Sequence, residues 1–265
     1  HIHTLASDGT ASIVDILRHV EAQTTLDVIA ITDHERIDAA LAARSIAMDQ
    51  GLRFEVVVGE EITTRGGHLI GLYLSTPVPP LRSLRESIAR IHDQGGIAIP
   101  AHPLFPFPMC ASGAALRRLT ADPDPRFRPD ALEAFNPTTF GRPHARVVAL
   151  AQELGLAVIG NSDAHALPAI GQGHTSFPGG TADDLRAAIL GRRTHWHGSF
   201  HSFAPQLATF GKQLRKYSRD ARAELHGRIL RTGRGRDHGY PGGDRRPPLF
   251  DPERAGARAG AEVDR

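Results

Sequence analysis

Apolar residues along the first two hundred positions follow two alternating rhythms. In 12–21, Ile13, Ile16, Leu17 and Val20 fall at helical spacing and Ser12 stands where an N-cap belongs. Residues 26–32 then form a nearly continuous apolar run, the pattern of a strand buried on both faces. The alternation continues with an Ala-rich helix over 39–50 stopped by Gly51, a strand over 54–58, and a strand over 68–74 broken by the prolines of 77–80. An amphipathic helix over 83–94 ends at Gly95-Gly96, and a strand over 97–101 follows. Residues 103–130 are rich in Pro, Arg and small side chains, with one short helix near 114–119. A strand over 130–135, a helix over 142–154, a strand over 156–160 and a helix over 181–190 capped by Thr181 complete the series.

Strand and helix in alternation predict parallel pairing with right-handed crossovers, hence an α/β fold: a closed barrel or an open doubly wound sheet. Where the polar residues fall separates the two. The strands run into Asp33-His34, Glu60-Glu61, His102, Asn136 and Asp163-Ala164-His165, and His68 stands at the start of its strand. At the N-terminus, His1 and His3 alternate with Ile2, so an extended backbone sends both imidazoles to one side. So many polar strand ends meet around one point in a closed or nearly closed α/β barrel, whereas an open sheet gathers its ligands at one crevice.

Composition modifies this picture at the C-terminus. Residues 211–265 hold 14 Lys and Arg against 8 Asp and Glu, leaving 17 against 21 in residues 1–210. The chain therefore divides into a mildly acidic domain over 1–210, a basic helix over 211–230, and a Gly-, Pro- and Arg-rich stretch over 231–265 expected to be disordered. An acidic body suits cation binding and ranks nucleic acid below a small substrate as partner. One cysteine, Cys110, excludes an intramolecular disulfide, and no apolar run is long enough to span a membrane. Together with the lack of a signal pattern, these features point to a cytoplasmic protein without membrane association.

The candidate metal ligands are His1, His3, Asp8, His34, Glu61, His68, His102, Asp163 and His165. Nine exceed one coordination sphere, and imidazole plus carboxylate without thiolate suits two or three Mn, Zn or Fe ions. In His1-Ile2-His3 with Ser7-Asp8-Gly9, Ile31-Thr32-Asp33-His34, Gly59-Glu60-Glu61-Ile62-Thr63, His68-Leu69-Ile70-Gly71-Leu72, Ala101-His102-Pro103 and Ser162-Asp163-Ala164-His165, the chain resembles the PHP (polymerase and histidinol phosphatase) family. The family's opening Asp-x-His-x-His lacks its Asp because the chain begins at the first His, and position 8 is Asp where some trinuclear members carry His.

The resemblance implies a distorted TIM-like (βα)7 barrel with a di- or trinuclear cluster at the strand ends. It assigns His1, His3, Glu61 and Asp163 to one ion, Glu61, His68 and His102 to a second, and Asp8, His34 and His165 to a third. The implied activity is hydrolysis of phosphoesters in a small metabolite or nucleotide by metal-activated hydroxide. A 3′-5′ exonuclease and a non-catalytic metal-stabilised module are the alternatives. Asp8, His34, Glu61 and Arg65 form the expected catalytic set, with Arg65 as the leading phosphate clamp and Arg142 the second. Either Glu60 or Glu61 can face the cluster, and the family pattern selects Glu61. Asp33 is read as an acceptor for a ligand histidine or a strand-end cap, and Asn136 as a site-lining residue or a turn former. His174 is read as a loop residue or a substrate contact, and His195, His197 and His201 are poor ligand candidates.

Overall fold

The computed structural model describes residues 1–106, 109–139 and 144–198. Arg142, His201, the expected basic helix over 211–230 and the expected disordered stretch over 231–265 lie outside the described residues. Among the described residues no helix is long and apolar enough to cross a membrane.

Ser12 caps α1 (Ile13–Gln23) by accepting the Asp15 amide, and Ile16, Leu17 and Val20 form its buried stripe. β1 (Val28–Ile31) follows, then α2 (Asp38–Asp49), which packs on the sheet through Ala39, Ala40, Ala43 and Ala47. β2 (Glu55–Thr64) runs six residues beyond the expected strand and turns at Arg65-Gly66 into β3 (Gly67–Leu72). Ser83 and Ser112 cap α3 (Leu84–His92) and α4 (Gly113–Thr120), which flank β4 (Ile97–Pro100). β5 (Ala131–Phe135), α5 (His144–Leu154), β6 (Ala157–Gly160), β7 (Gly173–Ser176), α6 (Ala182–Leu190) and β8 (His195–Gly198) complete the order.

This is an α/β fold, but its pairing is mixed where uniform parallel pairing was expected. β1 and β2 are parallel, whereas β2–β3 is antiparallel because the Arg65-Gly66 turn is too short for a crossover, and β3–β4 is antiparallel with α3 between the strands. The ladders form three sheets, ordered β1-β2-β3-β4, β5-β6 and β7-β8, and do not join into one closed barrel among the described residues. β7 and β8 were not anticipated: His174-Thr175-Ser176 and His195-Trp196-His197 carry no apolar run, and their pairing is non-local.

Alternation along the strands still creates one interior. Val57, Ile70, Leu72, Ile97, Ile99, Ala131, Ala157 and Ile159 meet in a single buried cluster drawn from the four-stranded sheet and the β5-β6 sheet. Val56, Val58, Leu69, Ala98 and Leu132 face the other way, toward the helices. Side chains such as Ile31, Ile62, Leu69 and Leu116 are at most 1% exposed, each worth about 1.5–3 kcal/mol of transfer free energy. Further along the same faces stand Glu61, Glu133 and Asn161. The polar site thus sits on an apolar floor.

Candidate metal centre

The N-terminal segment is threaded between two strand ends. Ile2 O accepts the Thr32 amide, while His3 N donates to Ala164 O and Ala164 N donates to His1 O. Ile2 is 4% exposed on the apolar side, so His1 and His3 turn to the opposite side, where both are buried. Asp33 fixes the loop that follows. Its carboxylate accepts the Thr4 amide at 2.8 Å, the Thr4 hydroxyl at 2.8 Å, and the Ser7 hydroxyl. Asp33 therefore orders the loop that follows the first two histidines and has no hydrogen bond to a ligand imidazole among those described.

Beyond β1 the parallel pairing continues as a bridge from His34 to Glu61, which brings these two side by side. In the β2–β3 register Thr63 faces His68 and Glu61 faces Ile70, so Glu61 and His68 are diagonal neighbours on one face. Glu60 points to the opposite face, over Gly71, where its Oε2 accepts the Val78 amide at 2.8 Å. It is buried rather than solvent-facing, and burial pushes its carboxyl up to about 8.

His102 and Asp163 enter the site on backbones with φ of 30° and 47°. Non-glycine residues hold such conformations at a cost of about 1–3 kcal/mol each, which surrounding structure must over-determine. For His102 that structure includes the Glu133 carboxylate on its amide at 2.6 Å and Cys110 Sγ at 3.2 Å from its Nδ1.

Glu61 lies between two groups of imidazoles. Its Oε2 is 3.0 Å from His1 Nε2, 3.2 Å from His3 Nε2 and 3.5 Å from His34 Nε2. Its Oε1 is 2.9 Å from His68 Nδ1 and 3.2 Å from His102 Nε2. Asp163 Oδ1 completes the first group, 3.4 Å from His1 Nε2 and 3.2 Å from His3 Nε2. Ligand atoms of His1, His3, Glu61 and Asp163 lie within 4.8 Å of one another, as do those of Glu61, His68 and His102.

A third such group is His3, Asp8 and His34. It differs from the expected Asp8, His34 and His165, and His3 already directs Nε2 at the first group. His165 reaches the cluster through Asp8, with Nε2 3.1 Å from Oδ2, and stacks on the His3 ring at 4.1 Å.

Two observations test whether these residues fit metal ions. His1 Nε2, His3 Nε2 and His68 Nδ1 are buried and make no aligned hydrogen bond, although each is within 3.2 Å of a carboxylate oxygen. Lone pairs converging on shared points suit coordination better than proton sharing. Asp8, Glu61, Glu133 and Asp163 are also four buried acids in one cluster, an arrangement that demands positive charge.

Without a cation, the histidines must supply that charge. Burial is the largest influence on His3 and opposes protonation, yet the close approach of Asp163, Glu61 and Asp8 raises it to about 10. His1 and His102 are held well above the usual range against the same burial penalty, while Glu61 and Asp163 are held well below theirs. His34 is lowered, chiefly by burial. Metal ions would replace these protons, so binding should release them.

Other expected residues fall elsewhere. Arg65 is exposed at the β2–β3 turn, and no described contact ties its side chain to the cluster. Asn136 lines the site, donating to Glu133 Oε2 at 3.0 Å and Asp163 Oδ2 at 3.1 Å, and its Oδ1 also caps the turn through Thr138. His174 lies on β7, exposed and stacked on His197, away from the ligand groups. Glu133 had not been recognised. Its signal was a lone charge inside the apolar run Ala-Leu-Glu-Ala-Phe.

The family model described as PHP-associated matches residues 141–194. An uncharacterized protein of Methanocaldococcus jannaschii, MJ1587, is 36% identical over 117 residues, covering 40% of this chain and 67% of that protein. A 5′-3′ exoribonuclease of Haemophilus influenzae is 30% identical over 103 residues, covering 37% of this chain and 36% of its own length. The chain thus spans about a third of that enzyme. Among solved structures, a two-domain protein from Bacteroides vulgatus containing a predicted PHP-like metal-dependent phosphoesterase superposes with a TM-score of 0.61 at 19% identity, covering 80% of this chain and 68% of that one. PsfC from Pseudomonas syringae superposes at 0.56 with 20% identity, covering 82% and 96%. On these matches and its motifs, the chain belongs to the PHP-domain family.

Proposed function

We propose that this chain is a metal-dependent phosphoesterase that hydrolyses a phosphoester at a multinuclear site. The observation carrying this reading is the division of Glu61: one carboxylate oxygen faces His1 and His3, and the other faces His68 and His102. A carboxylate so divided is suited to bridge two ions, with His1, His3 and Asp163 completing one site and His68 and His102 the other. Asp8, His34 and His165 are the remaining donors for a third. Divalent ions at these positions supply Lewis acidity toward phosphoryl oxygens and lower the pKa of water toward neutrality.

The chain's own residues do the rest. Glu133 holds the His1 imidazole, Asp33 orders the loop that follows His3, and the apolar floor keeps bulk water from beneath the cluster. Asp8 and His34 stand at the edge of the ligand groups, and His34 is the more exposed of the two, where a substrate would meet them. Arg65, at the nearby hairpin turn, is the candidate clamp for the phosphoryl group. Mn, Zn or Fe would suit the donor set.

A second reading, cleavage of nucleic-acid phosphodiesters, is favoured by the exoribonuclease relatives and set against by the acidic balance of residues 1–210. One screen separates the readings: metal-loaded and chelator-stripped protein are compared on mononucleotides, sugar phosphates and short 5′-phosphorylated oligonucleotides. Metal-dependent release of phosphate from the small esters supports the first, shortening of oligonucleotides the second, and no hydrolysis of either overturns both.

A further inference from the structure

Glu133 is the fifth-strand residue that neither the motif pattern nor the ligand groups explain, and its surroundings are unusual. It is 1% exposed, on the inner face of β5 directly after the apolar floor residue Ala131. Oε1 lies 2.9 Å from His1 Nδ1 and 2.9 Å from Asn161 Nδ2. Oε2 lies 2.6 Å from the His102 amide and 3.0 Å from Asn136 Nδ2. Asn136 Nδ2 in turn reaches Asp163. One buried side chain thus touches a ligand from each of the two Glu61-linked groups and, through Asn136, a third.

From this geometry we infer that Glu133 is a positioning residue, fixing His1 with its proton on Nδ1 so that Nε2 is free for metal, and locking His102 to the same support. Every partner of Glu133 is a donor, with the asparagine amides oriented by this network. Two carboxylate oxygens offer four lone-pair positions and satisfy all four. A glutamine at 133 would turn an NH2 group toward two donors on one side, so charge and acceptor count matter here as well as volume. The imidazole has two nitrogens, and the one bonded to a carboxylate dictates which remains for the metal. The backbone of His102, held at φ 30°, is stabilised at its amide by the other oxygen. One carboxylate thereby sets the spacing of the two groups that Glu61 joins.

The inference rests on the metal-binding part of the proposed function and is independent of which ester is cleaved, so its test is made on binding. Zn2+ affinity of the full chain is measured by competition with a chromophoric chelator for wild type, Glu133→Gln and Glu133→Asp. The expected result is a 10- to 100-fold loss for Glu133→Gln, the range found when the partner of a ligating histidine is removed, with a smaller loss for Glu133→Asp, which keeps the carboxylate. Unchanged affinity in a folded Glu133→Gln overturns the inference. Should the variants fail to fold, wild type alone decides through long-range 1H–15N correlation of the Zn2+-loaded His1 ring. A protonated Nδ1 with Nε2 on the metal supports it, and metal on Nδ1 overturns it. A protein that binds Zn2+ as expected but hydrolyses nothing would refute the phosphoesterase reading and leave the role of Glu133 standing.

Discussion

Replacing Glu61 by glutamine preserves volume and removes one anionic oxygen, which makes it the sharpest perturbation of the site. Five imidazole nitrogens lie within 3.5 Å of its two oxygens. An amide nitrogen cannot serve as a ligand, so one of the two groups loses its shared donor whichever way the amide turns. Breaking a buried charge pair by deleting one partner costs about 3–5 kcal/mol, or roughly two to four powers of ten in metal affinity. Glu60→Gln is the matched control. Glu60 lies on the opposite face of β2, and a carboxyl raised to about 8 is already neutral at pH 7, so glutamine imitates it while keeping the acceptor for Val78. Plasma mass spectrometry after reconstitution and desalting should find two or more ions per chain in wild type and Glu60→Gln, and at most one in Glu61→Gln. Depletion in Glu60→Gln with full occupancy in Glu61→Gln would refute both the strand register and the bridging assignment.

Four further outcomes follow from the same structure. Because the folded pKa of Glu60 is raised, the folded state binds the extra proton, so its contribution is complete below about pH 4.5 and is lost as pH rises through about 8; chemical denaturation should show Glu60→Gln gaining on wild type across that window, by at most about 5 kcal/mol. Gly67, at φ 126°, would place a Cβ 2.6 Å from the Ala111 amide, so Gly67→Ala should lower stability by about 1–3 kcal/mol, and an unchanged melting temperature would contradict the close approach. Arg65→Ala should reduce kcat/KM about 10- to 100-fold with metal content unchanged, since a charge-assisted contact is worth about 1.5–3 kcal/mol; an unaffected kcat/KM removes Arg65 from the site. Deleting 231–265, which supplies no candidate ligand, should leave turnover of a small phosphoester within twofold, and a tenfold fall in the folded truncation would show otherwise.

The sequence carried the local chemistry of this fold better than its pairing. Ser12 and Thr181 announced helix starts because a cap is a contact across three residues. Alternation along a strand allowed only one of Glu60 and Glu61 to face the cluster, and the family pattern selected Glu61. Gly59-Glu60-Glu61, by contrast, looked like a strand end. In fact β2 continues through it, since Glu60 finds the Val78 amide and Glu61 the histidines, neither of which is near in sequence. The antiparallel β2–β3 turn was concealed by the same misreading. Glu133 was hidden inside an apolar strand whose four donor partners come from three other segments and a neighbouring turn. Asp33 was visible as a strand-end carboxylate, but its hold on Thr4 and Ser7 depends on a fold that brings together residues 29 and 26 apart in the chain.

The central claim, that Glu61 joins two metal ions in one phosphoesterase site, is tested most directly by anomalous diffraction at the absorption edge of the reconstituted metal. At least two peaks about 3.5–4 Å apart are expected, one among His1, His3 and Asp163 and one beside His68 and His102, with a Glu61 oxygen toward each. A single peak, or peaks away from Glu61, would contradict it.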